Sequence, residues 1–213
     1  MTEIWFIRHG ETGWNRQHRI QGWQDTELNE AGRAQAGQLA ARLQETAGQA
    51  PFDALYSSDL QRARTTARPV AERLGLELRI EPGIRERRFG VLEGLELARI
   101  DELAPEAAAA WKSRDPERSL EGGEALGQFR RRVVDAVEAI AMRHPGGRVL
   151  AFTHGGVLDI IWREAQGMPL NTPRNALLLN VAINRVGVAP GQWSMLDWGD
   201  VAHVVRAEDD ASA

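Results

Sequence analysis

Residues 4–12, Ile4-Trp5-Phe6-Ile7-Arg8-His9-Gly10-Glu11-Thr12, set four consecutive apolar side chains directly before a polar cluster that contains a glycine. A continuous apolar run of this kind reads as a strand covered on both faces; an alternating run would read as a strand with one face in water. The same order recurs twice. Phe52-Asp53-Ala54-Leu55-Tyr56 leads into Ser57-Ser58-Asp59 and a helical stretch from Leu60 to Leu74, with Asp59 placed to cap it. Arg148-Val149-Leu150-Ala151-Phe152 leads into Thr153-His154-Gly155-Gly156 and the apolar-periodic stretch Val157 to Gln166. Strands buried on both faces need helices on both sides. The pattern therefore predicts an α/β fold, a three-layer α/β/α sandwich around a mostly parallel central sheet.

Working outward, Ala31 to Leu43 and Leu126 to Met142 read as amphipathic helices, the second keeping Leu126, Phe129, Val133, Val137 and Ile140 on one face. Leu177 to Val188 and Gln192 to Trp198, joined through Ala189-Pro190-Gly191, read as a hairpin-like strand pair near the sheet edge. The segment 105–124 holds Pro105, Pro116, Gly122 and Gly123 around an Ala-rich turn and reads as a small inserted lid. A single domain is expected over residues 1–205, followed by a polar tail at 206–213, Arg206 to Ala213, that frays.

Composition excludes several classes of function. The 213 residues carry 30 Asp plus Glu against 26 Lys plus Arg, a formal net charge of −4, without the basic excess of a nucleic-acid or membrane-surface binder. The absence of cysteine removes thiol nucleophiles and Cys-ligated metals. No apolar run approaches the roughly 20 residues of a membrane helix. Met1-Thr2-Glu3 opens without a basic and then apolar stretch, so a cytoplasmic location is expected. Lys112 is the sole lysine among the 26 basic residues.

In an open α/β sheet, ligands bind beyond the carboxyl ends of the strands. The three polar clusters fall there, which brings Arg8, His9, Ser57 to Arg62, and His154 around one crevice. Forked guanidinium donors, imidazole nitrogens and glycine-flanked amides in one place suit a phosphate dianion. On spacing alone, Arg62 with Arg64 and Arg68 would read as a solvated helix face, and Glu86, inside the charged run Arg85 to Arg88, as a surface ion-pair member.

The residues also resemble a family. Phe6-Ile7-Arg8-His9-Gly10-Glu11-Thr12 with Trp14-Asn15, Gln21-Gly22, Asp25-Thr26-Glu27-Leu28, Tyr56-Ser57-Ser58-Asp59-Leu60-Gln61-Arg62-Ala63, Ile84-Arg85-Glu86-Arg87-Arg88-Phe89-Gly90, Glu93-Gly94 and Thr153-His154-Gly155-Gly156 stand in the same order as in the histidine phosphatase superfamily, phosphoglycerate-mutase-like branch. The resemblance implies His9 as the nucleophile that accepts the phosphoryl group. It implies Arg8, Arg62 and His154 around the phosphoryl oxygens, with Asn15, Gln21, Gly22 and Gly155 as further substrate or phosphate contacts. Glu86 is implied as the general acid. No metal site and no cofactor are expected, because two arginines and a second histidine can take the place of a metal clamp.

This set is compatible with three functions. The first is a metal-independent phosphomonoester hydrolase for a small phosphorylated metabolite. The second is a phosphoglycerate mutase, whose lid must keep water out. The third is a non-catalytic scaffold that binds a phospho-ligand. The compact stretch Trp111 to Gly123, and Gly122-Gly123-Glu124-Ala125 where the smaller phosphatases have Gly-Glu-Ser, favour the first. Specificity is expected from the loops Arg16 to Gln24, Arg87 to Glu96 and Pro105 to Glu124. Trp14 and Trp23 are candidates for the mouth of the site or for partial core. Arg87 and Arg88 are candidates to extend an anionic pocket. The apolar edge region Leu177 to Val181 is a candidate homodimer contact.

Overall fold

A computed structural model describes residues 1–204. Its strands are β1 (Thr2–Arg8), β2 (Ala54–Ser57), β3 (Leu78–Ile80), β4 (Arg148–Thr153), β5 (Ile183–Ala189) and β6 (Gln192–Asp200). Its α-helices are α1 (Gly13–Arg16), α2 (Glu30–Gln49), α3 (Gln61–Leu74), α4 (Ile100–Leu103), α5 (Pro105–Ser113), α6 (Leu126–Arg143) and α7 (Gly155–Gln166). The strands form one sheet in the order β3-β2-β4-β1-β5-β6. Its first three pairings are parallel, and β5 and β6 add antiparallel at the other side. The result is the expected α/β fold with a mixed, mostly parallel sheet. The tail expected to fray from Arg206 lies outside the described residues.

The two-residue period of a strand divides each apolar run between two cores. Ile4 and Phe6 join Ala54, Tyr56, Val149 and Ala151 against α6 and α7, while Trp5 and Ile7 join Leu55, Leu150 and Phe152 against α2 and α3. Each fully buried Ile, Leu or Phe there contributes roughly 1.5–3 kcal/mol. A third cluster, Ile20, Phe89, Leu92, Ile100, Ala108 and Leu120, gives the 105–124 segment a small core of its own. Lys112, half exposed near the end of α5, pairs with Asp101 of α4 at 2.5 Å.

Helix ends depart from the local sequence pattern at two places. The helix expected over Ala31 to Leu43 starts at Glu30, where the Asn29 side chain accepts from the Gly32 N–H, and continues to Gln49. Asp59 does not cap α3. Its carboxylate is taken by the Arg85 guanidinium, which holds its pKa below the usual value. The first amide of α3, Gln61 N–H, instead donates to Asp25 Oδ1 at 2.6 Å, a partner 36 residues away that no local pattern reveals.

The parallel register sets Arg8 beside Thr153 and Ser57 beside Phe152, so the polar clusters emerge side by side. The loop after β1 is then pressed against α2. A Cβ on Gly32 would lie 2.1 Å from the Glu11 carbonyl oxygen, and one on Gly10 would lie 2.6 Å from the Gly32 oxygen. Both obstacles are backbone, so neither can rotate away. Gly10 is therefore present for packing, and its N–H donates to Thr66 Oγ1 at 2.9 Å. Gly32→Ala is expected to destabilise the fold by about 1–3 kcal/mol, read as a lower urea midpoint with an unchanged slope; wild-type stability would refute the close approach.

The expected strand from Leu177 begins only at Ile183. Leu177 to Val181 is an irregular connection rather than an edge strand, and the sheet edges are β3 and β6. Leu178 and Val181 are buried in opposite cores, and the Val181 N–H donates to the Arg8 carbonyl at 3.1 Å. Holding the end of β1 pulls this segment out of the ladder and sets Val181 at φ +52°, a strained value for a β-branched residue. The homodimer expectation loses its edge-strand basis here.

Candidate active site

Beyond Arg8 the ladder continues by one bond. His9 N–H donates to the Thr153 carbonyl and Ser58 N–H to the Phe152 carbonyl, both at 2.9 Å. From the far side, Asn180 Nδ2 donates to the His9 carbonyl at 2.8 Å. The His9 ring lies with Nδ1 2.8 Å from the Gly10 carbonyl oxygen. A carbonyl only accepts, so Nδ1 carries the hydrogen and Nε2 presents its lone pair. The His154 ring lies 5.3 Å from that of His9, centroid to centroid, with Nε2 2.8 Å from Ser58 Oγ. His154 Nδ1 is buried without a hydrogen-bond partner among the described residues.

Arg8 and Arg62 are both 0% exposed. Arg62 is not on a solvated face: Nη1 donates to the Gln24 carbonyl at 2.9 Å and Nη2 to the Gly22 carbonyl at 2.8 Å. Arg8 Nη1 donates to the Leu178 carbonyl at 2.6 Å. Carbonyls orient both forks. Burial pushes the pKa of His9 well below its usual 6.5, and the charges of Arg62 and then Arg8 push it further, against the Gly10 hydrogen bond. His154 is lowered for the same first reason, then by Arg62, His9 and Arg8. Both imidazoles are neutral at physiological pH.

Burying two neutral imidazoles makes stability depend on pH. Below pH 6.5 the unfolded chain binds protons that the folded rings refuse, so stability falls as pH drops through 6.5 toward the folded values. Unfolding free energy is expected to decrease between about pH 7.5 and 5.5 by up to about 1.4 kcal/mol per unit for each histidine below the unfolded pKa. The decrease should be smaller in His154→Asn. Equal slopes in the two proteins would contradict the assignment.

Glu86 is turned inward and only 5% exposed, as is Arg87, while Arg85 is half-buried and Arg88 exposed. Arg85 binds Asp59, and Arg88 N–H donates to Glu124 Oε2. Glu86 Oε1 accepts from Arg87 N–H at 2.7 Å and Oε2 from Gly156 N–H at 3.1 Å. Arg132 of α6 clamps the segment, donating to the carbonyls of Gly83, Arg85 and Glu86. Trp23 Nε1–H also donates to the Glu86 carbonyl, at 2.7 Å, and the Trp23 ring lies under the Arg85 guanidinium. A Cβ on Gly156 would fall 2.3 Å from Glu86 Oε1. That oxygen ends a flexible side chain, so Gly156→Ala is expected to leave the melting temperature nearly unchanged and to displace the carboxylate. The predicted readout is a kcat loss on the order of tenfold or more; wild-type kcat would refute it.

The remaining expected contacts sit nearby in different states. The Asn15 oxygen accepts from the Thr12 N–H and hydroxyl at 3.0 Å, as part of the capping box of α1, so only its nitrogen can serve an anion. Gln21 is buried, its Oε1 accepting from the Thr26 hydroxyl at 2.7 Å. Gly22 has φ +53°, and a Cβ there would meet Glu93 Oε1 at 2.2 Å. That Glu93 oxygen also accepts from the Trp23 and Phe89 N–H groups, tying the Gly22 loop to the Glu86 segment. Gly155 opens α7 directly after His154. Sequence reading assigned no role to Ser58, Glu93, Arg132 or Asn180. Ser58 and Glu93 left a signal, the first within the Ser57 to Arg62 cluster and the second inside the Glu93-Gly94 pair. Among the described residues no group of three or more His, Cys, Asp or Glu side chains is arranged to hold a metal ion, and no helix is long and apolar enough to cross a membrane.

A family model described as Histidine phosphatase superfamily (branch 1) matches residues 4–201. The chain belongs to this superfamily. Among its relatives, a metal-independent phosphoserine phosphatase of Arabidopsis thaliana is 40% identical over 96% of this chain and 84% of its own length. Phosphoglycerate mutase-like protein 4 of the same plant is 36% identical over 95% and 86%. Among solved structures, a mycobacterial glucosyl-3-phosphoglycerate phosphatase in complex with VO3 is 29% identical, with a TM-score of 0.79 over 92% of this chain and 98% of that one. The histidine phosphatase fold is thus shared along nearly the whole length.

Proposed function

We propose that this histidine phosphatase is a metal-independent phosphomonoester hydrolase working through a phosphohistidine on a small phosphorylated metabolite. The observation that carries the reading is the buried neutral His9, its Nδ1–H fixed by the Gly10 carbonyl and its Nε2 set among Arg8, Arg62 and a second neutral histidine. His9 Nε2 attacks phosphorus, the bond from phosphorus to the ester oxygen breaks, and Glu86 delivers its proton to the leaving oxygen. Water then attacks the phosphohistidine and gives a proton to the Glu86 carboxylate. The N–P bond breaks and inorganic phosphate departs.

Charge spreads over three equatorial oxygens in such a transition state, so fixed cationic donors supply most of the stabilisation. Arg8, Arg62 and His154 take that role, with the Asn15 nitrogen, Gln21 and the amides of Gly22 and Gly155 completing the cradle. Phosphate release from p-nitrophenyl phosphate should persist in EDTA and be inhibited by vanadate, a five-coordinate mimic. Complete loss in EDTA with restoration by magnesium would overturn the metal-independent reading. A mutase would behave differently. With 3-phosphoglycerate and a bisphosphoglycerate primer, fast formation of 2-phosphoglycerate with negligible free phosphate would replace the hydrolase assignment.

A further inference from the structure

Ser58 directly follows β2 and stands against the second histidine, with each of its polar atoms engaged. Its N–H donates to the Phe152 carbonyl at 2.9 Å, and its own carbonyl accepts from the Ser57 hydroxyl at 2.8 Å. Its Oγ accepts from the Leu60 N–H at 3.2 Å. The hydroxyl hydrogen remains to be placed. Ser58 and His154 are both 0% exposed, so bulk water does not reach that hydrogen, and the acceptor it meets among the described residues is His154 Nε2, 2.8 Å from Oγ.

A neutral imidazole carries one hydrogen, on Nδ1 or on Nε2. If His154 carries it on Nε2, then Nε2–H and the Leu60 N–H both donate to Ser58 Oγ, and the hydroxyl hydrogen faces no acceptor. His154 Nδ1, which has no hydrogen-bond partner among the described residues, is then a buried lone pair without a donor. Two groups are left over. If the hydrogen is on Nδ1, the Ser58 hydroxyl donates to Nε2 and a single group is left over, the Nδ1–H. Each buried polar group without a partner is destabilising, so the second arrangement is favoured. Its sign also suits the site. A bare Nδ1 would turn a lone pair toward any anion held beside His9, whose ring lies 5.3 Å away, whereas an N–H offers that anion a donor. With Nε2 engaged by Ser58, Nδ1 is the polar atom that His154 has left for a ligand.

We propose that His154 meets the phosphoryl oxygens through Nδ1–H and that Ser58 is the positioning residue that fixes this tautomer. The two histidines are then the same tautomer used from opposite ends. His9 spends its Nδ1–H on the Gly10 carbonyl and keeps the Nε2 lone pair for attack. His154 has its Nε2 lone pair capped by Ser58 and keeps the Nδ1–H to donate. No proton leaves His154 in this role, so the donor is in place both when phosphorus is attacked and when the phosphohistidine is hydrolysed. The proposal rests on the phosphohistidine reading above, but its first test needs no turnover.

That test is long-range proton–nitrogen correlation spectroscopy of the unmutated protein labelled with ¹⁵N-histidine at neutral pH, with the His154 signals identified by their loss in His154→Asn. Nε2 couples to both carbon-bound ring protons and Nδ1 strongly to one, so the two nitrogens are told apart. The His154 Nδ1 is expected at the shift of a protonated nitrogen and Nε2 at that of a bare one; the reverse pattern, or an average of the two, overturns the proposal. Kinetics on p-nitrophenyl phosphate then reads the role. An asparagine amide falls near the Nδ1 position of the ring and a glutamine amide near Nε2, so His154→Asn should keep a kcat about tenfold or more above that of His154→Gln. Ser58→Ala should lower kcat by about tenfold, up to the 10²- to 10³-fold attached to one transition-state donor, and by less than about twofold when His154 is already Asn. A structural role alone would cost the same factor in both backgrounds. Equal losses, or equal rates for the Asn and Gln variants, overturn the proposal, and the spectrum of the unmutated protein stands even if a variant does not fold. Absence of turnover in the unmutated protein with the expected tautomer present would instead overturn the phosphatase reading.

Discussion

His9→Ala is expected to lower phosphate release from p-nitrophenyl phosphate by a factor on the order of 10⁴ to 10⁶, since the covalent route has no second nucleophile to fall back on. Folding should survive, because the lost ring is neutral and its one hydrogen bond is to the adjacent carbonyl of Gly10. Anion binding should survive as well: Arg8 and Arg62 are oriented by Leu178, Gly22 and Gln24 and not by His9. The variant should therefore bind vanadate in titration calorimetry while forming no acid-labile phosphoenzyme when quenched during turnover. Turnover equal to that of the unmutated protein would end the phosphohistidine mechanism.

Glu86→Gln tests the proton. General acid catalysis contributes about 10² to 10⁴, and it matters most when the departing alkoxide is basic. With alkyl phosphates the variant should lose kcat/KM over that range. With p-nitrophenyl phosphate, whose phenolate leaves without help, the loss in phosphoryl transfer to His9 should be much smaller. Glutamine keeps an acceptor oxygen on one side only, so melting temperature is the control for the amides of Arg87 and Gly156. An equal loss on both substrates would remove Glu86 from the role of proton donor.

The sheet and its catalytic edge were legible because both are written locally. An apolar run leading into a polar cluster marks a buried strand and its carboxyl end. Three such marks place His9, Ser58 and His154 together once the strands are parallel and in register. Partners far along the chain set the features that stayed hidden. Arg62 shares its helix with Arg64 and Arg68, and only the carbonyls of Gly22 and Gln24 show that it turns inward. Glu86 looks like its charged neighbours until Gly156 and Arg132 hold it. Leu177 to Val181 has the composition of a strand, yet the end of β1 needs its Val181 N–H and its Asn180 side chain more than the ladder does. α2 runs past Leu43 because its last turns are rich in Ala, Gln and Glu, strong helix formers with little apolar periodicity.

Lys112 gives the molecule a built-in chemical address. Guanidinium groups stay protonated and resist acylation, whereas a lysine ε-amine is a point for covalent attachment. The catalytic edge is furnished with arginines and histidines, and the chain's one lysine stands half exposed on α5 beside Asp101. An amine-directed dye or resin linker would therefore react at α5 and at the exposed Met1 amine and spare the phosphate cradle.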